Sequence, residues 1–474
     1  MKSKGRKNLR PFSRCLLPLF LAFCFLSAPS AYPLSIEKER AAGEKFLQNI
    51  RKHFEIVKDP YIQDFINQLG RYLSSSLQTK PFPFHFYVIN APALNAFAGP
   101  GGHIFIFSGL INILEVDELA AVICHEIGHV SARHISQRIE KNKMLGIATM
   151  ASVLAAVLIG GKAGGAIITG SVAAGMQAQL HYSREDERQA DQLAFKYMDA
   201  SGFSPSAIIR VLKKLQKERW VGGEEIPPYL LTHPGASERI ARIESMLAGY
   251  SKGSVKPEAA EFKARYPIFK TVLTGTCLDP GEAERRFQDQ LEQDPDAGPA
   301  HLGLGIALMR KSEYERAAKH LELARKAMPR SVTVLRFLGE SYQFQGRDEK
   351  AVRVLEEALR LERGNRSVLY ILAGSYLNLE KYPRAIRIYE KLKNLKPVME
   401  GVYYQLGVAY GRQKELGRAH YNFGLHFARM KDMEKARFHF EKALAFARND
   451  RTMEERIKKA MRKLRASPGG SRPD

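Results

Sequence analysis

Cysteine is scarce in this sequence, with four residues in a chain of 474. A disulfide-stapled fold is therefore excluded, because such folds carry many cysteines in a short chain. Acidic residues are also too few to balance the basic ones: 50 Asp and Glu face 73 Lys and Arg, and the formal net charge is +23. The remaining proportions, 45% hydrophobic and 26% charged with 37 Gly and 23 Pro, exclude collagen-like, wholly disordered and polytopic membrane chains.

The first 31 residues contain no acidic residue. A basic stretch is followed by an apolar run from Cys15 to Leu26 and then by small residues from Ser27 to Ala31. This order predicts a secretory signal peptide over residues 1–31. The apolar run is shorter than the ~20 residues that a spanning helix needs, although an uncleaved anchor is the alternative.

Export determines which compartment and partners the sequence predicts. We expect a periplasmic protein, peripheral to a membrane if its basic surface contacts anionic lipid head groups. We expect no nucleic acid partner. A solvated basic surface without a specific partner is the alternative. Cys124 and Cys277 remain after export, and we expect no disulfide between them.

The chain divides into two parts with different patterns. Within residues 36–265, Pro81 to Asn90 and Gly102 to Ser108 are predicted strands, because β-branched and aromatic residues are bounded there by Pro, Gly and Asn. Residues 116–141 have helical apolar spacing, with Asp117 as the predicted cap.

Residues 266–465 repeat with a period of 34 residues. Alanines mark the period, and bulky apolar residues follow each of them four positions later. The alanines are Ala283, Ala317, Ala351, Ala385 and Ala419. Small residues such as Gly305 and Gly339 would let the two helices of a hairpin touch, and the bulky ones would fill the gap to the next hairpin. This pattern resembles tetratricopeptide (TPR) repeats, so we predict an all-α solenoid, closed by a capping helix near Arg465 and followed by a disordered tail over residues 466–474.

The sequence His125-Glu-Ile-Gly-His129 lies in the helix predicted over residues 116–141. A spacing of four places both imidazoles on one helical face, where they can bind a single zinc ion. Glu126 is then directed at the metal-bound water, as a general base requires. The uncharged flank from Leu119 to Cys124 is what a buried metal helix requires, so we predict one zinc ion per chain.

A catalytic zinc ion needs a third protein ligand. Ser183 to Asp191 is highly charged and belongs to a helix predicted from Gln177 or Ser183 to Met198. Glu187 and Asp191 share one face of it, so that one carboxylate can bind the metal while the other supports a ligand. Glu185 and Asp186 are predicted to be ordinary surface charges.

Together, His125-Glu-x-x-His129, Glu187-x-x-Ala-Asp191 and Thr232-His-Pro234 resemble the zinc metallopeptidase family of the CAAX prenyl protease and HtpX-type proteases. The resemblance covers roughly residues 40–250 and implies an α+β zincin-like domain over residues 36–265, mostly helical with a small sheet. It also implies that His125, His129 and Glu187 bind zinc and that Glu126 is catalytic.

Further residues take their roles from the same resemblance. Asp191 matches the supporting carboxylate, and His233 matches a histidine that can occupy the fourth metal position and keep the enzyme latent. Residues 95–106 resemble an edge strand to which an extended substrate could add, or they are simple core packing. His103 is expected to be structural, and His134 and His181 are expected to be bystanders.

One segment and the function leave alternatives open. Residues 144–178 are rich in Ala, Gly and Ile and predict a mobile or membrane-touching lid beside the site, with a true span as the alternative. The resemblance implies a periplasmic endopeptidase acting on misfolded or unassembled outer-membrane proteins, with the barrel-assembly machinery bound through the TPR face. The alternatives are a TPR adaptor or chaperone with a capped zinc site, and a processing enzyme for one exported protein.

Overall fold

The computed structural model describes residues 34–77, 79–141, 182–221, 226–251, 253, 256–447 and 450–465. The predicted signal peptide, the predicted tail and the segment 144–178 lie outside these ranges. Within them, no helix has both the length and the apolar composition that crossing a membrane requires.

The first part of the chain contains helices α1 to α9 in its described residues. Their bounds are α1 Ile36–His53, α2 Pro60–Leu73, α3 Ser108–Ile113, α4 Val116–Ser131, α5 His134–Lys141, α6 Arg184–Ala200, α7 Ala207–Val221, α8 Pro228–Thr232 and α9 Ala236–Ala248. Side chains cap several of these helices, as at α2, where Asp59 accepts hydrogen bonds from two backbone amides and Pro60 occupies the first turn.

The described residues form one small sheet with strand order β1-β3-β2, where β1 is His85–Ile89, β2 is Ala96–Ala98 and β3 is His103–Phe107. β1 runs parallel to β3, and β2 runs antiparallel to it. Both strand predictions are confirmed. Residues 95–106, expected to be an edge strand or core packing, divide between the two: β2 lies at the edge of the sheet, whereas β3 is the central strand and is buried along its whole length.

The alternation of side chains along β3 explains why the sheet is buried on both faces. Ile104 and Ile106 pack into the main core with α2 and α4, while Phe105 and Phe107 pack against α1 around Phe46. The sheet is therefore a layer between α1 on one side and α2 with α4 on the other.

The single helix predicted over residues 116–141 is wrong. α4 ends at Ser131 and α5 starts at His134, and between them Arg133 has a φ of 58°. A residue in this left-handed region cannot continue an α-helix. The Arg133 guanidinium contacts the Glu39 carboxylate of α1 at 2.6 Å, which helps to hold the turn in place.

The predicted cap of this helix is wrong as well. Glu115 and Glu118 form a capping box at the start of α4. Asp117 instead accepts a hydrogen bond from the backbone amide of Ser204 and pairs with Lys263 at 3.1 Å, so it joins α4 to later segments.

Beyond residue 256 the described residues form helices without strands. They are α10 Pro257–Cys277, α11 Pro280–Gln293, α12 Gly298–Arg310, α13 Tyr314–Ala327, α14 Val332–Phe344, α15 Asp348–Leu361, α16 Arg366–Asn378, α17 Tyr382–Asn394, α18 Val402–Arg412, α19 Leu416–Arg429, α20 Met433–Phe446 and α21 Arg451–Arg465. This is the predicted series of helical hairpins, with a final helix that ends at Arg465.

The small and bulky residues of the 34-residue period meet inside a hairpin. A Cβ built on Gly305 would lie 2.6 Å from Leu321, and one on Gly339 would lie 2.5 Å from Leu355. Leu321 and Leu355 therefore pack against the small residues of their own hairpins. Phe287 fills the gap to the next hairpin, as expected of the bulky residues, because it closes on Gly303 there.

The two parts of the chain pack against each other. The boundary predicted between residues 265 and 266 falls inside α10, whose Phe269 stacks on Phe65 of α2 with ring centroids 4.1 Å apart. Farther along, Arg336 of α14 pairs with Asp59 at 2.9 Å, and both side chains are largely buried. The repeats are thus fixed to the helix that supports the sheet.

Candidate metal centre

Two histidines one turn apart on α4 form one wall of a buried site. His125 and His129 are 2% and 0% exposed, and their Nε2 atoms lie 3.1 Å apart. The apolar residues that precede them are all buried, so α4 runs through the core and presents both rings from the same face.

α6 brings the third group of the site. Ser183 caps this helix through a capping box, which confirms the later of the two predicted starts. Gly128 lets α6 approach α4, because a Cβ there would lie 2.9 Å from the carbonyl oxygen of Ala190. As a result, the Glu187 carboxylate reaches the histidines of α4, with each oxygen 3.4 Å from one Nε2 atom.

His233 closes the site from the loop after α8. Its Nδ1 lies 2.9 Å from Oε1 of Glu187 and 3.3 Å from Nε2 of His125, and the residue is 0% exposed. One donor atom from each of His125, His129, Glu187 and His233 lies within 4.8 Å of the others. The structure thus brings together the three predicted ligands and the predicted fourth group.

Asp191 and Arg239 hold this arrangement from behind. Asp191 Oδ1 lies 3.0 Å from Nδ1 of His125, which leaves the Nε2 atom of His125 facing the site. Arg239 of α9 donates two hydrogen bonds to Asp191, at 2.8 and 2.7 Å, and its Nη1 lies 2.7 Å from Glu187. Asp191 thus has the supporting position expected for it, and Arg239, which no motif in the sequence indicates, shares that support.

Glu126 lies beside the group and is 0% exposed. Its two carboxylate oxygens have no hydrogen-bond partner among the described residues, and the nearest basic atom is Nε2 of His233 at 3.6 Å. A buried carboxylate without a partner is costly, so this one indicates a group held ready for a ligand.

The position of His134 differs from the expectation, and two tyrosines lie in the site although no motif indicates them. His134 is 3% exposed rather than on a helix surface, and its Nδ1 lies 2.9 Å from Nδ1 of His129. Tyr182 stacks on His129 with ring centroids 3.7 Å apart, and Tyr229 stacks on His233 at 4.4 Å. His181 lies outside the described residues. Tyr182 directly precedes the predicted cap Ser183, but nothing in a local pattern marks it as part of a site.

Burial and ion pairs move the pKa values of the site in different directions. Burial raises the pKa of the Glu126 carboxyl, which makes it a better proton acceptor. For Asp191 burial acts in the same direction, but Arg239 and His125 together outweigh it and hold the pKa below its usual range. For His125, burial and Arg239 lower the pKa, but Glu187 and Asp191 outweigh them and raise it to about 9.

The donor set fits a divalent metal ion. Three imidazoles and one carboxylate supply nitrogen and oxygen donors in the number and type that Zn²⁺ prefers. Nε2 of His233 has no hydrogen-bond partner among the described residues, and one oxygen of Glu187 makes an ion pair with Arg239 at 2.7 Å rather than a hydrogen bond. Cys124, on the same helix, is a buried free thiol, and Cys277 is free as well, which confirms that they form no disulfide.

Comparison with protein families agrees with this geometry. Residues 57–247 match the model of peptidase family M48. Three tetratricopeptide models match residues 278–331, 334–369 and 417–450, so the region similar to family M48 is followed by repeats that match TPR models.

Curated relatives match long stretches of the chain. The chain is 28% identical over 310 residues to the beta-barrel assembly-enhancing protease of Yersinia pestis, covering 64% of this chain and 62% of the relative. It is 29% identical over 307 residues to the protein of the same name from Escherichia coli K12, covering 62% and 61%. Mitochondrial metalloendopeptidase OMA1 of Arabidopsis thaliana is 29% identical over 201 residues, 42% of this chain and 39% of that protein. The chain thus spans about three fifths of the first two relatives.

Proposed function

We propose that this chain is a zinc metalloendopeptidase whose described conformation is latent. His125, His129 and Glu187 would hold one zinc ion per chain, and Glu126 would be the general base. The observation that carries the proposal is the convergence of four buried donors beside a carboxylate without a hydrogen-bond partner.

The residues around the site have separate roles in peptide hydrolysis. Bound zinc would supply a polarised water with a pKa near ~7. Glu126 accepts a proton from the attacking water and then delivers it to the leaving amine. Asp191 keeps His125 in the orientation that directs Nε2 inward, and Arg239 holds the carboxylates of Asp191 and Glu187 together.

The position of His233 is the reason for assigning latency. A catalytic zinc keeps one position open for water, whereas a site with four protein ligands is structural. The His233 ring nitrogen lies as close to Glu187 as a hydrogen-bond partner, so it would fill that position. The same contact favours a second candidate, a TPR adaptor or chaperone whose zinc site stays capped.

The substrate and the compartment rest on the relatives. Because two of them are named beta-barrel assembly-enhancing protease, we propose misfolded or unassembled outer-membrane proteins as substrates and the barrel-assembly machinery as the partner of the TPR face. The signal peptide predicted over residues 1–31 supports a periplasmic location. The net charge is still +17 without the six basic residues of the predicted signal peptide, which favours contact with an anionic membrane surface.

Two variants of the full-length exported chain test the proposal. Glu126→Gln should retain one zinc ion by elemental analysis and lose hydrolysis of casein and of an unassembled porin by ~10²–10⁴-fold. His233→Ala should hydrolyse both faster than wild type. Glu185→Gln is the matched control, because Glu185 is an exposed neighbour on α6 that pairs only with Arg188 among the described residues.

The outcomes separate the two candidates. Loss of zinc from Glu126→Gln would contradict the role of a base that does not bind the metal. A His233→Ala protein that holds zinc, binds the porin and cleaves nothing would favour the adaptor or chaperone.

A further inference from the structure

The imidazole of His233 packs against two tyrosine rings. The Tyr229 ring lies 4.4 Å from it, centroid to centroid, and the Tyr182 ring lies 5.1 Å from it, each at an interplanar angle of 27°. Both tyrosines are almost fully buried, at 2% and 4% exposed. Tilting of the imidazole is therefore opposed by two rings that are themselves held in place.

This restriction matters because a metal ion lies close to the plane of an imidazole that binds it. An imidazole that packs against two buried aromatic rings keeps its nitrogens directed toward the site, where Nδ1 of His233 lies 2.9 Å from Glu187 and 3.3 Å from His125. Tyr182 adds a direct link to the metal helix, because its other stacking partner is His129 at 3.7 Å.

The backbone ties the same residues together. The His233 amide donates to the Tyr229 carbonyl at 2.8 Å, and the Tyr182 amide donates to the Thr232 carbonyl at 3.2 Å. The Tyr229 amide donates to the Leu94 carbonyl just before β2, at 3.2 Å. The loop that carries His233 is thus fixed to both rings and to the edge of the sheet.

We propose that Tyr182 and Tyr229 are positioning residues that clamp His233 in the fourth metal position and so set how rarely the site opens. This inference rests on the latch role proposed above for His233. A stacked aromatic pair contributes enough to change an equilibrium on the order of two- to tenfold. Removing one ring should therefore increase the open fraction by that factor, and removing His233 itself should have a larger effect.

The test uses the full exported chain loaded with Co²⁺ in place of zinc. The visible spectrum of Co²⁺ depends on the number and identity of its ligands, so replacement of His233 by water changes it, and His233→Ala supplies the reference spectrum of the open site without relying on activity. The variants are Tyr229→Leu and Tyr182→Leu, each in the wild-type and in the His233→Ala background. Tyr229→Phe and Tyr182→Phe keep the rings, and Tyr229→Met replaces Tyr229→Leu if that protein does not fold.

A matched control removes a buried tyrosine that does not touch His233. Tyr197 lies on α6 and is 7% exposed, so Tyr197→Leu loosens the same domain to a similar degree. It should leave the cobalt absorption as in wild type. This control separates a general loss of stability from release of the latch.

The clamp predicts a specific pattern of results. Each Tyr→Leu change should shift the cobalt spectrum toward that of His233→Ala and raise casein hydrolysis two- to tenfold. The Phe variants should keep the wild-type spectrum, and neither Leu change should add anything in the His233→Ala background. If His233→Ala opens the site and the Leu variants do not, or if they act equally without His233, the clamp is wrong. If His233→Ala changes neither spectrum nor hydrolysis, the proposed latch itself fails.

Discussion

Replacing Gly128 with alanine should damage the metal site even though alanine is the better helix former. The substitution places a methyl group 2.9 Å from the carbonyl oxygen of Ala190 and 3.2 Å from its Cα. Carbon–oxygen contacts of this kind normally lie at ~3.3–3.6 Å. Because the obstacle is backbone, α6 must retreat from α4 by roughly 0.5 Å.

Two opposing effects determine the result. Alanine gains up to ~1 kcal/mol over glycine inside a helix, whereas overpacking a core costs ~1–3 kcal/mol. We therefore expect a net loss of stability of up to about 2 kcal/mol. The retreat also carries Glu187 away from His125 and His129, and a shift of ~0.5 Å is at the tolerance of a preorganised site. Zinc affinity and hydrolysis should each fall about tenfold.

The assay is zinc titration against a competing chelator, together with thermal unfolding of the full chain. Gly411→Ala is the matched control, because the nearest atom to its new methyl group is the Ala419 Cβ at an ordinary 3.8 Å. It should raise the free energy of unfolding by up to ~1 kcal/mol and leave the zinc affinity unchanged. A Gly128→Ala protein that binds zinc as wild type does and melts higher would refute the steric reasoning.

Three further predictions concern other parts of the molecule. Arg336→Met should destabilise the chain by ~3–5 kcal/mol because it leaves the Asp59 charge buried and without its ion-pair partner. Adding Asp59→Asn should recover part of the lost free energy of unfolding, measured by denaturant unfolding, and no recovery would contradict the pairing. Burial lowers the pKa of His103 to about 4, below its unfolded value of ~6.5. Its contribution to the free energy of unfolding, on the order of 3 kcal/mol, is therefore present above pH ~6.5 and disappears as the pH falls toward 4. The unfolding midpoint of His103→Gln should depend less on pH across this window, and an equal dependence would exclude the effect. Asp191→Asn should lower zinc affinity ~10–100-fold through loss of orientation of His125, measured by chelator competition, and an unchanged affinity would argue against that support.

Much of the candidate site was predictable because its signals are local. The four-residue spacing of His125 and His129 fixes their common face on any helix, and the capping chemistry of Ser183 fixes where α6 begins. The 34-residue period likewise identified the residues that meet within the hairpins, since Gly305 and Gly339 do receive leucine side chains.

The misses share a physical cause. His134 occupies the core because the chain turns at Arg133, and a hydrophobic pattern does not reveal a single residue with positive φ. Asp117 looked like a cap, but a capping box at Glu115 was available and Asp117 became a link to Ser204 instead.

Three features of this protein were predictable from local patterns alone: the histidine pair on one helix face, the charged helix with Glu187, and the repeated hairpins. Their patterns repeat at the period of a helix or of a hairpin, so they can be recognised without knowing what lies nearby. That Arg239, Tyr182 and Tyr229 belong to the same site is visible only in the tertiary structure. Long-range packing brings these distant segments together, and no local period indicates which segments will meet.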